Sequence, residues 1–209
     1  MKKIILTGFE PFGEYQYNPT KDLVEYFKQK PHKHLSSVSI TAVLLPCTYK
    51  GAFEILSKHI DEIQPHAVIS TGLSSSVGGI RIETVFRNIM YSKYKDANGD
   101  CPDGVKIQKK RPVHMCDAYP NSEGYQLAQL LIERNIPVEI SHNANTFICN
   151  SLGFLTSDKI YRENLPTKNM FLHVPWTDDY AGKIKLEPDK VLLMKSQFYD
   201  AIIELVENI

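Results

Sequence analysis

Short apolar runs alternate with helix-like stretches along most of this 209-residue chain, and this alternation limits the folds open to it. Each run is bounded by glycine, proline or polar residues, a pattern typical of buried strands, which are predicted at 3–7, 38–45, 67–71, 136–140 and 170–174. Apolar residues recur at helical spacing after Asn18-Pro19, in 49–63, in 119–134, and in a final helix that begins at Pro188-Asp189. Strands alternating with helices predict an α/β fold, a three-layer αβα sandwich with a largely parallel central sheet. The length fits a single domain over residues 1–209.

Two stretches depart from this simple alternation. Residues 80–87 alternate apolar and polar side chains, which predicts one half-buried strand. Glu83 lies on the parity opposite Ile80 and Ile82, where a glutamate usually belongs to the solvated face. The segment 96–112 is rich in charge, glycine and proline, and we expect it to form a surface excursion or a contact between protomers.

Charge and cysteine content exclude several classes of function. Lysine plus arginine equals aspartate plus glutamate, 24 each, so no basic field favours nucleic acid as a partner. No apolar run reaches the length of a membrane span or of a signal peptide, so we expect a soluble, cytoplasmic protein without a membrane partner. The four cysteines are scattered, which indicates a reducing compartment, and they lack the spacing of a zinc site.

Cys149 is the candidate nucleophile. It follows the predicted strand 136–140 and precedes a helical run, so it should lie at a helix N-terminus. The unpaired N–H groups there and the helix dipole favour an anion, which would lower the pKa of the thiol. The alternative is a buried structural cysteine that acts as a small hydrophobe.

A base and an orienting acceptor complete the hypothesis. His173 lies at the end of the predicted strand 170–174, and Glu83 could hold its tautomer, as in an acyl-transfer triad. A satisfied core histidine and a solvated strand glutamate are the alternatives. In parallel sheets, sites gather outside the carboxyl ends of the strands. Here those ends are followed by the Gly8–Gly13 loop, the Gly72 loop, Cys149 and His173, which we therefore expect to converge.

Four motifs resemble the type I pyroglutamyl peptidases, cysteine peptidases that remove an N-terminal 5-oxoproline from peptides. They are Thr7-Gly-Phe-Glu-Pro-Phe-Gly13 with Asn18-Pro19, Ile82-Glu83 with Asn88, Phe147-Ile-Cys-Asn150, and Leu172-His-Val-Pro175. The resemblance implies a catalytic triad of Cys149, His173 and Glu83, a thioester acyl-enzyme, no metal or organic cofactor, and a homo-oligomer, commonly a tetramer.

The resemblance also assigns a pocket for the lactam ring. Phe9 and Phe12 would flank the ring, Phe147 and Ile148 would complete an apolar slot, and Asn18 would supply an orienting hydrogen bond. Backbone N–H groups around Cys149 could form the oxyanion hole.

Some positions depart from the family pattern. Val77 stands where an arginine is common, and Lys93 replaces an arginine expected close to the site, which keeps the charge but loses the planar fork. Cys47 stands at a position near the pocket where small or hydroxyl side chains are common, and 118–121 also diverges.

Two alternatives follow. One is a divergent homologue that binds lactam-capped peptides or related metabolites with little turnover. The other is a nucleotide-handling α/β protein, which the bulky Phe9 and Phe12 disfavour, because they would obstruct a phosphate cradle.

Overall fold

The computed structural model describes residues 1–29, 35, 37–116, 121–185 and 191–209, with the backbone alone for 114–116 and 121–123. Within these residues the strands are β1 (Lys2–Phe9), β2 (Val38–Leu45), β3 (Ala67–Leu73), β4 (Ile80–Glu83), β5 (Val85–Arg87), β6 (His114–Cys116), β7 (Val138–Ser141) and β8 (Lys168–Val174). The helices are α1 (Pro19–Gln29), α2 (Gly51–Ile63), α3 (Asn121–Glu133), α4 (Ile148–Glu163) and α5 (Lys195–Asn208), with a 3₁₀ turn at Asp178–Tyr180.

The main sheet is mostly parallel, as predicted. Its strand order is β2–β1–β3–β8–β4–β7. Strands β2, β1, β3 and β8 run parallel, whereas β4 pairs antiparallel with β8 and parallel with β7. The carboxyl ends of β1, β3 and β8 therefore meet at one edge, but β4 and β7 run the other way.

Helices cover both faces of this sheet, which confirms the three-layer arrangement. Alternate residues of β1 divide between the layers: Ile4 and Leu6 belong to one apolar cluster and Ile5 to the other. The first cluster includes side chains of α1, α3 and α5. The second includes side chains of α2 and α4, and it forms the layer that carries the site described below.

The prediction of one strand over 80–87 was wrong. The chain leaves the main sheet after Glu83, and Val85–Arg87 pairs instead with His114–Cys116 in a separate two-stranded sheet. The departure lets Phe86 pack directly on α4 at Gly153, where an added Cβ would lie 2.2 Å from the Phe86 ring. The alternation of apolar and polar residues continues past Glu83, so this pattern did not indicate that the chain changes sheets there.

Other boundaries also differ from the prediction. The last helix begins at Lys195, while the predicted start at Pro188-Asp189 lies outside the described residues, as do the diverging residues 118–120. Leu193 precedes that helix as an extended residue, since its N–H donates to the Trp176 carbonyl and its own carbonyl accepts from Asp178 N–H. Among the described residues, no helix combines the length and the apolar character needed to cross a membrane.

The segment 96–112 is tied to the domain surface by backbone contacts. The Asp96 carboxylate accepts hydrogen bonds from the N–H groups of Tyr49, Asn98 and Asp100, at 2.9–3.0 Å. Met90 and Val105 form an isolated antiparallel bridge. This segment therefore packs across the start of α2 as an ordered excursion.

Candidate active site

Cys149 occupies the second position of α4, as the sequence predicted. The helix begins at Ile148 after Phe147, which is extended and provides no side-chain cap. The first N–H along α4 with a backbone partner is that of Ser151, which donates to the Phe147 carbonyl at 3.1 Å. The N–H groups at positions 148–150 thus form an open helix N-terminus around the thiol.

Glu83 and His173 are joined by a buried hydrogen bond. Glu83 lies opposite Phe171 and Arg81 lies opposite His173 in the β4–β8 ladder, which makes Glu83 and His173 diagonal neighbours on one face. His173 Nδ1 lies 2.8 Å from Glu83 Oε1. Glu83 is 0% exposed, so the expectation of a solvated strand glutamate does not apply here. With Nδ1 held by the carboxylate, Nε2 is the ring nitrogen available to another group.

Gly72 makes room for the thiol beside His173. In the parallel β3–β8 pair, Gly72 is the direct partner of His173. A Cβ added to Gly72 would lie 3.0 Å from Cys149 Sγ and 3.1 Å from the Phe171 ring. The missing side chain thus lets the sulfur approach the sheet next to the histidine. Among the described residues, no hydrogen bond joins Cys149 to His173, so the two groups are neighbours rather than a formed pair.

Burial raises the pKa of the Cys149 thiol well above its ordinary value, and the nearby Cys47 and Glu83 raise it further. The sequence had predicted a lowered pKa from the helix N-terminus. That expectation was wrong because the loss of hydration in this site outweighs the favourable field of the helix. A nucleophilic role for Cys149 would therefore require a base to take the proton of the thiol.

The loop 142–147 carries the chain to this position. Because β7 runs antiparallel to β8, its carboxyl end does not join those of β1, β3 and β8, and the loop must cross back before α4 begins. Arg87 holds the loop by donating to the Asn143 side chain and to the Asn145 carbonyl. Thr146 Oγ1 donates to the Tyr91 carbonyl at 2.9 Å.

Asn150 is a further positioning residue that the sequence did not identify. Its Oδ1 accepts from Arg87 N–H at 2.7 Å, and its Nδ2 donates to the carbonyls of Arg87 and Ile89 at 2.9 and 3.1 Å. Asn150 is fully buried, so these bonds fix the first turn of α4 to β5. Its place directly after Cys149 was the available signal, but its distant partners could not be read from the sequence.

A cavity of about 410 Å³ opens in front of Cys149. Its lining is apolar and aromatic, with a few hydroxyl, thiol and amide groups: Phe9, Phe12, Tyr15, Tyr17, Asn18, Cys47, Leu73, Ser74, Ser75, Tyr94, Phe147, Ile148 and Cys149. Five of the predicted substrate contacts are among them: Phe9, Phe12, Asn18, Phe147 and Ile148. The rings of Phe12 and Phe147 lie 5.5 Å apart at 44°, and Tyr49 packs edge-on against Phe147. None of these described lining residues carries a charge at neutral pH.

Asn18 lines the cavity but serves mainly as a helix cap. Its Oδ1 accepts from the N–H of Thr20 at 3.0 Å and from the Thr20 hydroxyl at 2.9 Å. Its Nδ2 donates to the Glu10 carbonyl at 3.3 Å. The amide oxygen is thus already engaged, and one N–H remains for the orienting hydrogen bond predicted from the sequence.

Lys93 and Val77 occupy different surroundings from those expected of the arginines they replace. Lys93 is exposed and is not part of the described cavity lining, whereas its neighbour Tyr94 is. Val77 is 4% exposed and packs within the loop that follows β3. Cys47 does line the cavity, as its predicted position near the pocket implied, and its Sγ donates to the Glu10 carbonyl at 3.5 Å.

Comparison with known proteins gives consistent matches. A family model described as pyroglutamyl peptidase matches residues 2–204. The pyrrolidone-carboxylate peptidase of Thermococcus litoralis is 33% identical over 179 residues, which cover 86% of this chain and 79% of that protein. A solved structure of pyrrolidone carboxyl peptidase from Thermococcus litoralis has a TM-score of 0.88 at 31% identity and covers 100% of this chain and 92% of that one. A structure of pyrrolidone carboxyl peptidase from Fervidobacterium islandicum AW-1 has a TM-score of 0.90 at 23% identity, covering 100% and 98%, which shows the shared fold.

Proposed function

We propose that this chain, which belongs to the pyroglutamyl peptidase family, removes N-terminal pyroglutamyl residues from peptides and uses Cys149 as the nucleophile. The observation that supports this assignment most directly is the meeting of three groups from distant parts of the chain. The Glu83–His173 hydrogen bond lies beside Gly72, and the space at Gly72 receives the Cys149 sulfur.

The first half of the reaction forms a thioester. His173 Nε2 takes the proton from the Cys149 thiol as the sulfur attacks the carbonyl carbon of the pyroglutamyl residue. The developing oxyanion accepts hydrogen bonds from the open N-terminus of α4. The C–N bond then breaks, and His173 returns its proton to the departing amine.

The second half hydrolyses the thioester. His173 takes a proton from a water molecule, whose oxygen attacks the same carbonyl carbon, and the C–S bond breaks as the proton returns to sulfur. Glu83 keeps the imidazole in one orientation and stabilises its positive charge in both halves. These steps use three side chains, backbone N–H groups and water.

The cavity supplies the selectivity for a lactam-capped peptide. Pyroglutamate is uncharged and nearly flat, so it can be buried between the rings of Phe9, Phe12 and Phe147. An ordinary N-terminal ammonium would lose its hydration there, and no lining carboxylate among the described residues would compensate it. Ile148 would complete the slot, and the free N–H of Asn18 would orient the ring. The exposed Lys93 would contact only parts of the substrate outside the cavity.

We also propose that residues 1–209 form a single domain that acts in the cytoplasm as a homo-oligomer, a tetramer by family resemblance. Three exposed apolar side chains on or next to the excursion would suit a contact between protomers: Tyr91, Val105 and Val113, which are 40%, 50% and 59% exposed. Light scattering at micromolar concentration should give a mass above 23.8 kDa, and a monomer alone would contradict this part.

The experiment that tests the function is release of a fluorescent amine from a pyroglutamyl amide by wild type, Cys149→Ser and Cys101→Ser. Cys101 is an exposed free thiol outside the cavity, which makes it a matched control. We expect turnover by wild type and Cys101→Ser, and loss of at least about 10³-fold in Cys149→Ser. If wild type binds a pyroglutamyl aldehyde but turns nothing over, the chain is the divergent binder. Equal activity of all three proteins would refute the nucleophile.

A further inference from the structure

The cavity has a buried end and an exposed end with different side chains. Around Cys149 its lining is covered: Phe9, Asn18 and Ile148 are 2%, 6% and 2% exposed. Three tyrosines line the same cavity toward solvent, where Tyr15, Tyr17 and Tyr94 are 48%, 39% and 74% exposed. The aromatic lining thus extends beyond the enclosed part that the lactam ring would fill.

The reaction at Cys149 determines which part of the peptide substrate contacts these tyrosines. The carbonyl attacked by the sulfur joins the lactam residue to the rest of the peptide. Once the lactam occupies the buried end, the rest of the peptide must leave through the exposed end, because the residues around the buried end are covered. The side chain of the residue that follows pyroglutamate therefore passes along Tyr15, Tyr17 and Tyr94.

Two of the tyrosines rest on a packed aromatic base. The Tyr15 ring lies 5.2 Å from the Trp176 ring, and the Tyr17 ring lies 5.5 Å from the Tyr180 ring. Trp176 and Tyr180 are both 3% exposed and pack against each other at 5.3 Å. The Tyr180 hydroxyl donates to Asp22 at 2.6 Å, which ties this base to α1. The exposed faces of Tyr15 and Tyr17 are thus held in place before any ligand arrives, which lowers the cost of ordering them.

Tyr94 lines the same cavity from a different part of the chain. Its backbone N–H donates to Ser92 Oγ at 2.9 Å, and its ring is the most exposed of the three. Ser74 and Ser75 lie at the cavity as well and offer hydroxyl groups to a peptide backbone. The described lining contains no charged side chain that would select a basic or acidic residue.

We propose that Tyr15, Tyr17 and Tyr94 form a binding site for the residue directly after pyroglutamate, and that this site selects aromatic and large apolar side chains. The inference rests on the proposed peptidase function, since it concerns the remainder of the same substrate. Burial of an apolar side chain against exposed tyrosine rings removes apolar surface from water on both partners. A charged side chain would lose hydration there without gaining a partner.

The test compares kcat/KM for pyroglutamyl peptides of equal length that differ only in the second residue: phenylalanine, leucine, alanine or aspartate. We expect phenylalanine and leucine to exceed alanine and aspartate by about tenfold or more, the effect of burying one large apolar side chain. Tyr94→Ala should reduce the phenylalanine-to-alanine ratio several-fold, and Tyr94→Phe should retain it. Tyr125→Ala is the matched control, because Tyr125 is a 57% exposed tyrosine on α3, which packs on the other face of the sheet.

The outcomes separate this inference from the proposed function. Hydrolysis of all four peptides with equal kcat/KM would overturn the aromatic site and leave the peptidase assignment standing. A preference that survives unchanged in both Tyr94→Ala and Tyr15→Ala would place the selective contacts elsewhere and also overturn it. If no peptide is hydrolysed, the peptidase function fails, and this inference fails with it.

Discussion

Two helix N-termini border the same cavity, and they are finished in opposite ways. At α1, Asn18 accepts hydrogen bonds from both the N–H and the hydroxyl of Thr20, and that hydroxyl in turn accepts from Phe9 N–H at 2.9 Å. At α4, Phe147 precedes the helix without any side-chain cap, and Cys149 follows two residues later. One end is closed by its own side chains, and the other is left open.

The difference suits the two helix ends to different roles: the N-terminus of α1 supports the cavity lining, and that of α4 carries the proposed nucleophile. The capped end of α1 lies close against β1, where a Cβ on Gly8 would come within 2.1 Å of the Thr20 carbonyl oxygen, so this junction fixes the Phe9 side of the cavity. The open end of α4 leaves backbone donors that could bind the oxyanion formed in the proposed reaction. A side-chain cap at Phe147 would occupy those donors permanently.

The open end does not ionise the thiol by itself. Burial raises the Cys149 pKa in spite of the helix terminus, so we expect His173, held by Glu83, to take the proton of the thiol.

The largest effect is expected for Glu83→Gln, which leaves both helix ends intact and removes only the carboxylate that orients His173. We expect kcat/KM on a pyroglutamyl amide to fall by about 10³–10⁴-fold, as when an orienting carboxylate is replaced in other triads. Glu139→Gln is the control, because Glu139 is a partly exposed strand glutamate paired with Arg81. Near-normal activity of Glu83→Gln would mean that the open helix end alone activates the thiol.

Gly72→Ala should have the next largest effect. The added Cβ lies 3.0 Å from the Cys149 sulfur, so sulfur or Phe171 must move by a few tenths of an ångström. Misplacement of a nucleophile on this scale should lower kcat by about 10–100-fold with a smaller change in KM. Gly78→Ala is the matched control, since nothing lies within 4 Å of its added Cβ. Equal kcat in the two variants would show that the Cys149 sulfur does not occupy the position next to Gly72 when it reacts.

Asn18→Ala tests the capped end. Loss of the cap should lower the free energy of unfolding by about 1 kcal/mol, measured by urea denaturation. Because the cap also positions Phe9, KM should rise more than kcat falls. Asn18→Ser retains a capping hydroxyl and should recover most of the stability. A fall in kcat alone, with stability unchanged, would show that Asn18 acts on the reaction rather than on the helix.

The smallest effect is expected for a substitution of Cys47, the second cysteine among the described lining residues of the cavity. Burial, then the charges of Glu10 and Asp96, raise its pKa from 9.0 to about 12. The folded state therefore favours the neutral thiol, and the associated stability is present below pH 9 and is lost as the pH rises toward 12. Cys47→Ala should lose less stability than wild type between pH 9 and 11 in chemical denaturation. A constant difference between the two proteins over this range would contradict the shift.

The layered fold could be predicted because its signal is local. Runs such as 67–71 and helices such as 49–63 carry their periodicity within a few residues, and both appear where expected. The directions of β4 and β7 are set by pairing between distant segments, so no local pattern indicated that these strands oppose β8. For the same reason Ile80–Arg87 was predicted as one strand, although it belongs to two sheets.

The site could be predicted in part. The residues made Cys149, His173 and Glu83 candidates, the family resemblance implied that they form a triad, and the structure brings them together. The pKa direction of the thiol could not be predicted, since it depends on how deeply the sulfur is buried, which local sequence does not encode. Tyr94 and Asn150 were missed because their roles arise from contacts with residues far along the chain.

The central claim is that the Cys149 sulfur carries the pyroglutamyl group between the two halves of the reaction. The most direct measurement is acid quenching of the protein during turnover of a pyroglutamyl ester, followed by mass spectrometry of its peptides. We expect a pyroglutamyl adduct on the peptide that contains Cys149, accumulating in wild type and absent from Cys149→Ala. An adduct on Cys47 or Cys101 instead, or continued turnover by Cys149→Ala, would contradict it.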